Sequence, residues 1–446
     1  MARPQLPQDA LLQLALHGMH DRVLGCIVGS ALGDAIGLYT EFLSASAAAQ
    51  AYPSRAFTLL PKSQATAFRR DAHRNPHQPG EWTDDTDHAL LILLSFLHSG
   101  GRDMSAQDVA SRLKIWVQQG LRALDTLPLG LGNTVGSIVR KAPYLEDPEG
   151  TARQHWVDHN YNAAPNGSLM RTHPLGLMCL HKTADETFQT GADFSVITHV
   201  DPRCVVSCVI GTALVRGLLR HEVYTEEHVD QVINSAVAWY SHYQNRRLAR
   251  DAGRAGEPDL DIDELRRHVK VNELSDLQLD DAMKMGYVYK TLGSGVHLLR
   301  LALRKVASSG NSLSSQIDLF EPLVVDLIMQ GGDADTNACF AGALLGAYLG
   351  FRALPPHWRD GLRHGSWLLA KAEALSKVLG VAHGQYDASQ DADTAPDGGR
   401  GFLSEREVEE KVMLLQARMA QDEQRFREQE DDRANRGKRW FGRRWG

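Results

Sequence analysis

Apolar residues recur every three to four positions along most of this chain, which is the spacing of helices with one buried face. Stretches in which polar and apolar residues alternate, as they do in a half-buried strand, are scarce. The pattern therefore predicts an all-α protein. The predicted helices are Asp21–Gly37, Asp87–His98, Ala106–Gly120, Val135–Lys141, Arg203–Arg220, Glu226–Tyr243, Ser294–Ala307, Leu319–Met329, Asp335–Phe351 and Trp358–Leu379.

Two of these helices carry glycine at every fourth position. The glycines are Gly25, Gly29, Gly33 and Gly37 in the first helix and Gly342, Gly346 and Gly350 in the second. Fourth neighbours share one helix face, so each helix has a side almost without side chains. Glycine in a helix interior costs about 0.8–1 kcal/mol relative to alanine, and close backbone-to-backbone packing would offset that cost. The alternative, a dimer of membrane helices, is disfavoured by the charge of Asp34 and by the short apolar spans.

Composition narrows the class of protein. The 446 residues are 43% hydrophobic, enough for one large core or two domains, and the net charge of −7 offers no general attraction to nucleic acid or anionic membranes. Five irregularly spaced cysteines indicate a reduced chain and neither a disulfide framework nor a zinc site. The N-terminus lacks the apolar stretch of a secretory signal, and the longest apolar run is about half of the ~20 residues that span a bilayer. We therefore expect an intracellular, cytoplasmic protein with no membrane span.

Changes in pattern divide the chain into a domain at residues 20–385 and a tail at residues 386–446. Within the domain, a charged and weakly periodic stretch at about 245–280 predicts a surface insertion. The segment after Gly384 has no apolar periodicity and predicts a flexible linker. The tail continues with a capping box at Ser404 and Glu407 and a short charged helix. Its basic and aromatic end would contact a partner or an anionic surface, or else remain a solvated, disordered end.

Two acidic clusters are the strongest candidates for chemistry. Each stands at the start of an apolar helical pattern, and together they contain Thr83, Asp84, Asp85, Asp333, Asp335 and Thr336. Carboxylate and hydroxyl oxygens are the ligands that Mg²⁺ and Mn²⁺ prefer. Helix capping is the alternative explanation, but a cap needs only one acceptor. Two crowded clusters therefore favour a split site for two cations.

Two glycine-rich loops are candidates for phosphate binding: 130–136, with Gly132 and Asn133, and 166–168, which is Asn166-Gly167-Ser168. Backbone N–H groups that glycine leaves accessible at a helix start can bind a pyrophosphate. Either loop taken alone would be an ordinary turn more often than not. Neither is a nucleotide-binding fingerprint of the Walker or dinucleotide type, because no strand precedes it.

These motifs, in this order, resemble those of the ADP-ribosylglycohydrolase family. The matching segments are Gly29-Ser-Ala-Leu-Gly33-Asp34-Ala-Ile-Gly37 with Glu41, Trp82-Thr83-Asp84-Asp85-Thr86, Asn166-Gly167-Ser168-Leu169-Met170-Arg171, Thr198-His199 and Gly331-Gly332-Asp333-Ala334-Asp335-Thr336-Asn337. The resemblance spans roughly residues 20–380 and implies a single compact multi-helix domain. It explains neither the insertion at about 245–280 nor the flexible C-terminal tail that the sequence pattern predicts. It also implies two Mg²⁺ or Mn²⁺ ions and hydrolysis of the glycosidic bond at C1″ of ADP-ribose.

The resemblance also assigns roles to residues. It implies metal ligands at Thr83, Asp84, Asp85, Asp333, Asp335 and Thr336, and a contact between His199 and the adenosine ribose. With Asp34 and the two glycine-rich loops included, the predicted substrate-binding residues are Asp34, Gly132, Asn133, Asn166, Gly167, Ser168 and His199. Glu41 is the implied catalytic acid if the substrate is O-linked or polymeric, and Asp85 if it is arginine-linked. Taken alone, Glu41 would be an exposed glutamate, His199 a helix histidine, and Asp34 either a buried carboxylate or an orienting group for a metal ligand.

Three functions remain open at this point. The first is a metal-dependent hydrolase that releases ADP-ribose from a modified protein or a small molecule. The second is a catalytically silent protein of this family that binds ADP-ribose or has a structural role. The third is a dimetal phosphoesterase that acts on a nucleotide. The chain retains every acidic position that the first function requires, and no specific contact with nucleic acid is expected.

Overall fold

The computed structural model describes residues 7–310 and 316–442, with side chains up to residue 428. All regular secondary structure in those ranges is helical, and β-type backbone pairing there is limited to isolated bridges. The all-α prediction is confirmed. The helices are α1 Gln8–Gly37, α2 Ala45–Ala51, α3 Asp84–His98, α4 Ala106–Gln119, α5 Asn133–Val139, α6 Pro148–Asp158, α7 His173–Met178, α8 Ala184–Val196, α9 Pro202–Leu219, α10 Glu226–Arg250, α11 Ile262–Val269, α12 Val288–Ser308, α13 Phe320–Ile328, α14 Ala334–Leu349, α15 Pro356–Arg359, α16 Gly365–Val378 and α17 Glu405–Gly442.

Helices α1 and α14 cross at the centre of the core with their glycine faces together. A methyl group built on Gly29 would lie 2.7 Å from the carbonyl oxygen of Gly342, and one built on Gly25 would lie 2.6 Å from the carbonyl carbon of Gly350. Ordinary van der Waals contact begins at 3.4 Å, so only glycine permits this approach. The predicted close packing of backbone on backbone is confirmed. It fixes the register between the end of α1 and the start of α14.

Several boundaries differ from the sequence prediction. The segment predicted as one helix from Trp358 to Leu379 is divided between α15 and α16. His364 has a φ of 57°, in the left-handed region that interrupts a helix. Five helices were not predicted: α2, α6, α7, α8 and α11. Helix α8 begins with a capping box, because the Thr183 hydroxyl accepts from the backbone N–H of Glu186, whose carboxylate accepts in return.

The charged stretch at 245–280 contributes to the core as well as to the surface. Helix α10 extends into it, and α11 packs against α12 with Leu265 and Val269 fully buried. These residues therefore do not all lie at the surface, because two apolar positions one helical turn apart are enough to dock a short helix, and the insertion itself stays a prediction.

Helix α9 is the one helix in the described ranges with the length and hydropathy to cross a membrane. Its apolar window is 89% buried inside the protein. That burial is the environment of a core helix, and the absence of a membrane span stays a prediction.

The C-terminal segment follows the surface of the domain. Lys371 forms an ion pair with Asp391, and Arg112 donates to the carbonyl oxygen of Thr394 at 2.8 Å. These contacts are polar, which explains why apolar periodicity gave no sign of them. The flexibility predicted for the linker stays a prediction.

Helix α17 is longer than the predicted short helix, since it continues through a strongly charged stretch to Gly442. The capping box predicted at its start is confirmed: the Ser404 N–H donates to the Glu407 carboxylate at 2.8 Å, and the Glu407 N–H donates to the Ser404 hydroxyl at 3.4 Å. Lys411 then forms an ion pair of 2.6 Å with Asp125 of the domain.

Candidate functional site

The first acidic cluster is held in place by Asp34 of α1. This buried carboxylate accepts hydrogen bonds from the backbone N–H groups of Thr83 and Thr86 at 3.0 Å each. It also accepts from their hydroxyl groups, at 3.0 Å from Thr83 and 2.6 Å from Thr86. Asp34 therefore satisfies the free N–H groups at the start of α3. Its oxygens are occupied by protein donors, which favours the orienting role over direct contact with substrate.

The second cluster begins α14, and its first carboxylate does not act as a cap. Asp333 stands at the N-cap position, but its side chain accepts no hydrogen bond from the helix backbone. It accepts instead from the side-chain amide of Asn166 at 2.8 Å, and that amide also donates to Thr291 at 2.9 Å. Capping therefore does not explain the presence of Asp333, although its residue type is common at that position.

The two clusters meet although they are 251 residues apart in sequence. The Thr336 hydroxyl lies 3.2 Å from Asp85 Oδ2, and the Thr83 hydroxyl lies 3.5 Å from Asp335 Oδ2. The Thr83 hydroxyl also faces Asp34 at 3.0 Å and Asp85 at 3.1 Å, yet it has one proton for three carboxylates. Asp85 Oδ1 is buried without a hydrogen-bond partner. This surplus of buried acceptor oxygens is suited to a cation.

Two groups of carboxylates have the spacing of metal ligands. One contains Asp34, Asp85 and Asp335, the other contains Glu41, Asp333 and Asp335, and in each group the candidate ligand atoms lie within 4.8 Å of one another. Asp335 belongs to both. The donor set consists of carboxylate and hydroxyl oxygens, which fits Mg²⁺ or Mn²⁺.

Without a cation these carboxylates resist ionisation. Burial and the charges of neighbouring carboxylates raise the pKa of Asp84, Asp85 and Asp335 well above the ordinary aspartate value. Burial likewise raises the pKa of Asp34 to about 7, although the hydrogen bonds from Thr86 and Thr83 lower it. Like charges in a buried site cannot all be ionised unless a cation compensates them. The electrostatics of the site therefore agree with its geometry.

Glu41 reaches the second cluster from the turn that follows α1. Backbone hydrogen bonds from Phe42 to Gly332 at 2.6 Å and from Gly332 to Leu43 at 2.8 Å join this turn to the loop before Asp333. The Glu41 carboxylate is almost fully buried, and its Oε2 lies 2.5 Å from His73 Nε2. That hydrogen bond raises the pKa of the His73 imidazole. Glu41 is thus a buried carboxylate with a proton-carrying partner and not an exposed glutamate.

The 166–168 loop lies on the Asp333 side of the carboxylates, while Gly130 of the 130–136 loop lies beside Asp84. A methyl group on Gly167 would lie 3.3 Å from His199 Nε2 and 3.7 Å from a methyl carbon of Val135 in α5. His199 Nε2 is buried and has no hydrogen-bond partner, while its Nδ1 bonds to the Thr198 hydroxyl at 2.7 Å. The structure therefore brings the 166–168 loop, His199 and α5 together, with an unpaired ring nitrogen beside the glycine.

Four other predicted residues differ in their surroundings. Ser168 is buried, and its hydroxyl accepts from Ser195 at 3.1 Å, so it supports the loop from within. Gly132 and Asn133 are exposed at the start of α5, and a methyl group on Gly132 would meet nothing within 4 Å. This loop has open space for a ligand. Asp84 faces Gly130, whose added methyl group would lie 2.6 Å from its Oδ1.

Sequence reasoning assigned no role to three residues that position the site. His73 holds Glu41, Thr86 binds Asp34, and Thr291 orients Asn166. Thr86 stands three residues after Thr83, a spacing that could have indicated a second hydroxyl on the same helix end. His73 belongs to an irregular segment, and Thr291 lies inside a regular helix, so neither gave a signal.

Comparison with known proteins points to one family. The profile of the ADP-ribosylglycohydrolase family matches residues 16–387. The chain is 24% identical to the ADP-ribosylarginine hydrolase Tri1 of Serratia proteamaculans, over 80% of this chain and 79% of that protein. It is 24% identical to the ADP-ribosyl-[dinitrogen reductase] glycohydrolase of Rhodospirillum rubrum, over 77% and 91%, and 22% identical to the ADP-ribosylhydrolase ARH3 of Bos taurus, over 80% and 93%. A solved chain described as an ADP-ribosylglycohydrolase-related protein complex superposes with a TM-score of 0.49 at 23% identity, over 81% and 99%.

The matched residues include both acidic clusters, Glu41 and the 166–168 loop. The family resemblance seen in the motifs is confirmed, and the match ends before α17 begins. The chain therefore belongs to the ADP-ribosylglycohydrolase family and is a glycosyl-bond hydrolase.

Proposed function

We propose that this protein cleaves the glycosidic bond at C1″ of ADP-ribose and releases ADP-ribose from an ADP-ribosylated protein or a related small molecule. The observation that carries the proposal is the meeting of Asp85 with Thr336 and of Thr83 with Asp335. It joins two distant clusters into one buried set of oxygen ligands. The similarity to ADP-ribosyl hydrolases, one of them named an ADP-ribosylarginine hydrolase, supports the class of reaction but does not choose the linkage in this protein.

The residues that would hold the cations are Thr83, Asp84, Asp85, Asp333, Asp335 and Thr336, and the proposed ions are two Mg²⁺ or Mn²⁺. Such cations, when bound, compensate the carboxylates and orient and polarise the hydroxyl oxygens of a ribose. Asn166 keeps Asp333 directed into the site through its amide hydrogen bond, and Asp34 keeps Thr83 in place. These contacts fix the ligands before any ion arrives.

Hydrolysis breaks the bond between C1″ and the leaving nitrogen or oxygen, adds the hydroxyl of water to C1″, and places a proton on the leaving atom. Glu41 is the proposed acid and base for these proton transfers. Its Oε2 shares a proton with His73 Nε2, so the pair can hold a proton beside the carboxylate cluster. Asp85 has the free Oδ1 that suits a metal ligand, and it stays the alternative acid for an arginine linkage.

The test is release of ADP-ribose from arginine-linked, serine-linked and polymeric substrates in Mg²⁺, in Mn²⁺ and in EDTA. Asp333→Ala should abolish release. Asp147→Ala is the matched control, because Asp147 is also an N-cap residue but lies outside the site and caps α6 through Gly150 N–H at 2.8 Å. Equal activity of the two variants would refute the ligand role of Asp333. Release of AMP in place of ADP-ribose would establish a phosphoesterase, and tight ADP-ribose binding without release would establish a silent binder.

A further inference from the structure

Helix α17 lies outside the part of the chain that matches the family, yet it borders the site. Its residues 411–418 face a cavity of about 350 Å³, whose other walls are the segments 76–87, 125–129 and 363–364. A second cavity, of about 230 Å³, contains Glu41, Asp84 and Asp335. Pro76, His77, Thr83 and Leu129 line both cavities. The space beneath α17 is therefore the immediate neighbour of the carboxylate cluster.

The position of the predicted ADP-ribose loops decides what this neighbouring space would receive. Asn166 and the Gly167–His199 contact lie on the Asp333 side of the cluster. Asn166, Gly167 and His199 line neither cavity, whereas Glu41 and His73 line the one that adjoins the α17 cavity. ADP-ribose that runs from the cluster toward the 166–168 loop directs the group bonded to C1″ away from that loop. The leaving polypeptide then extends toward α17.

The cavity has apolar walls, one available cation and three carboxylates, Glu81, Asp87 and Asp125, that protein donors already engage. Leu127, Leu129 and Leu415 form its apolar walls. Two of its cations are engaged, because Lys411 pairs with Asp125 and Arg363 pairs with Glu81.

Arg418 differs from those two cations. Its guanidinium donates to the carbonyl oxygen of Pro76, and it forms no ion pair with any residue whose side chain is described. It thus has donors to spare at the boundary of the two cavities. Burial lowers the pKa of the neighbouring His77 to about 4, so that imidazole is neutral at physiological pH and adds no second charge.

The cavity is not filled by α17 itself. Leu414 at its rim is 71% exposed, and Met413 beside it is 64% exposed. A helix that served only to close the site would place such side chains into the space. The helix leaves room beneath it instead, which favours a wall of a binding site over a cover.

We propose that α17 forms the subsite for the polypeptide beside the modified residue, and that Leu415 and Arg418 select a segment with an apolar and an acidic side chain. The apolar side chain rests against Leu415 and Leu127, and the carboxylate pairs with Arg418. This inference rests on the proposed function, because it uses the direction in which ADP-ribose lies in the site.

The experiment measures the affinity of fluorescein-labelled ADP-ribosylated peptides by anisotropy in Mg²⁺ buffer. The full-length protein carries Glu41→Gln so that the probe is not consumed. One peptide has Glu-Leu beside the modified residue, and its counterpart has Lys-Ser in those places. In both peptides ADP-ribose is attached through the linkage that the protein cleaves in the release assay. If it cleaves none, both peptides are made with the arginine linkage and again with the serine linkage.

Arg418→Glu is compared with Arg406→Glu. Arg406 lies on the same helix, is 86% exposed and, among the side chains that the structure describes, pairs with Glu410 alone, so the change of charge is matched. Arg418→Glu is expected to weaken binding of the Glu-Leu peptide by about fivefold or more relative to Arg406→Glu, because attraction becomes repulsion at a half-buried site. Leu415→Ala is expected to weaken it about threefold relative to Met413→Ala, through the loss of apolar contact area. The affinity for free ADP-ribose should not change in any variant.

Equal affinities of the two arginine variants would overturn the proposal, as would absence of a preference for Glu-Leu over Lys-Ser or absence of peptide binding by the parent protein. Tighter peptide binding by Arg418→Glu would show that α17 is a cover. A parallel loss of affinity for free ADP-ribose would assign Arg418 to the support of the Pro76 loop. Failure of the proposed function would be seen in the separate release assay, in which the protein with Glu41 intact would release no ADP-ribose.

Discussion

The contact between α1 and α14 gives the sharpest prediction about this fold. Gly33 lies at its centre, next in sequence to Asp34, and a methyl group there would lie 2.5 Å from the carbonyl carbon of Ala338. Gly18 belongs to the same helix but is exposed, and a methyl group there would meet nothing within 4 Å. Gly33→Ala and Gly18→Ala therefore make the same chemical change in the same helix in opposite surroundings.

The expected magnitudes follow from two opposing terms. Alanine is favoured over glycine inside a helix by about 0.8–1 kcal/mol, and at Gly18 this is the whole effect. At Gly33 the carbonyl oxygen of Ala338 would lie closer still to the added methyl group than the carbonyl carbon does, so the two helices must move apart by more than the roughly 1 Å that separates 2.5 Å from the 3.4 Å of ordinary contact. Overpacking of this kind costs about 1–3 kcal/mol in a core that can adjust, and here the opposing atoms are backbone. We expect Gly33→Ala to lose at least about 2 kcal/mol of unfolding free energy and Gly18→Ala to gain slightly less than about 1 kcal/mol.

Urea unfolding of the metal-free proteins measures both values, with the slope m checked for constancy. A second readout is Mn²⁺ affinity, which should fall for Gly33→Ala because α1 and α14 carry Asp34 and Asp335 into the site. A Gly33→Ala protein that is as stable as the parent, or more stable, would refute the argument that backbone contact requires glycine there.

The remaining predictions concern the carboxylates. Folding raises the pKa of Asp85 and Asp335 well above the ordinary value and that of Asp34 to about 7, so the metal-free folded state keeps protons that the unfolded chain has lost. The stability of the metal-free protein is expected to fall as pH rises from about 4 to above 7, and the increase in Tm on adding Mn²⁺ is expected to grow over the same range. An equal increase in Tm at about pH 5.5 and about pH 8 would contradict this. Thr86→Val removes a hydroxyl that donates to Asp34 at 2.6 Å and should lower the unfolding free energy by about 2 kcal/mol in urea titrations, whereas an unchanged midpoint would show that this bond does not hold α3. Glu41→Gln should lower kcat by about 100-fold or more with the Kd for ADP-ribose unchanged in calorimetry, and loss of both would place Glu41 in ligand binding instead.

Local patterns in the sequence determined the class of fold and the chemical inventory of the site. The helical spacing of apolar residues predicted the all-α class, because that period depends only on each helix having one buried face and so can be seen in a local stretch of sequence. The repeated glycines predicted the α1–α14 contact, since nothing but close approach compensates their cost. The acidic clusters with their adjacent threonines indicated hard-cation ligands because residue type alone fixes which atoms can bind.

Only the tertiary structure decided which of these groups meet. The contact of Asp85 with Thr336, the pairing of Glu41 with His73 and the position of α17 over the cleft each join segments far apart in sequence. No local period encodes such pairs. They follow from how α1 crosses α14, from two backbone hydrogen bonds that tie the Glu41 turn to Gly332, and from polar contacts that hold the C-terminal segment. The sequence thus determined which ligands the protein has, and the packing of its helices decided that they form one site.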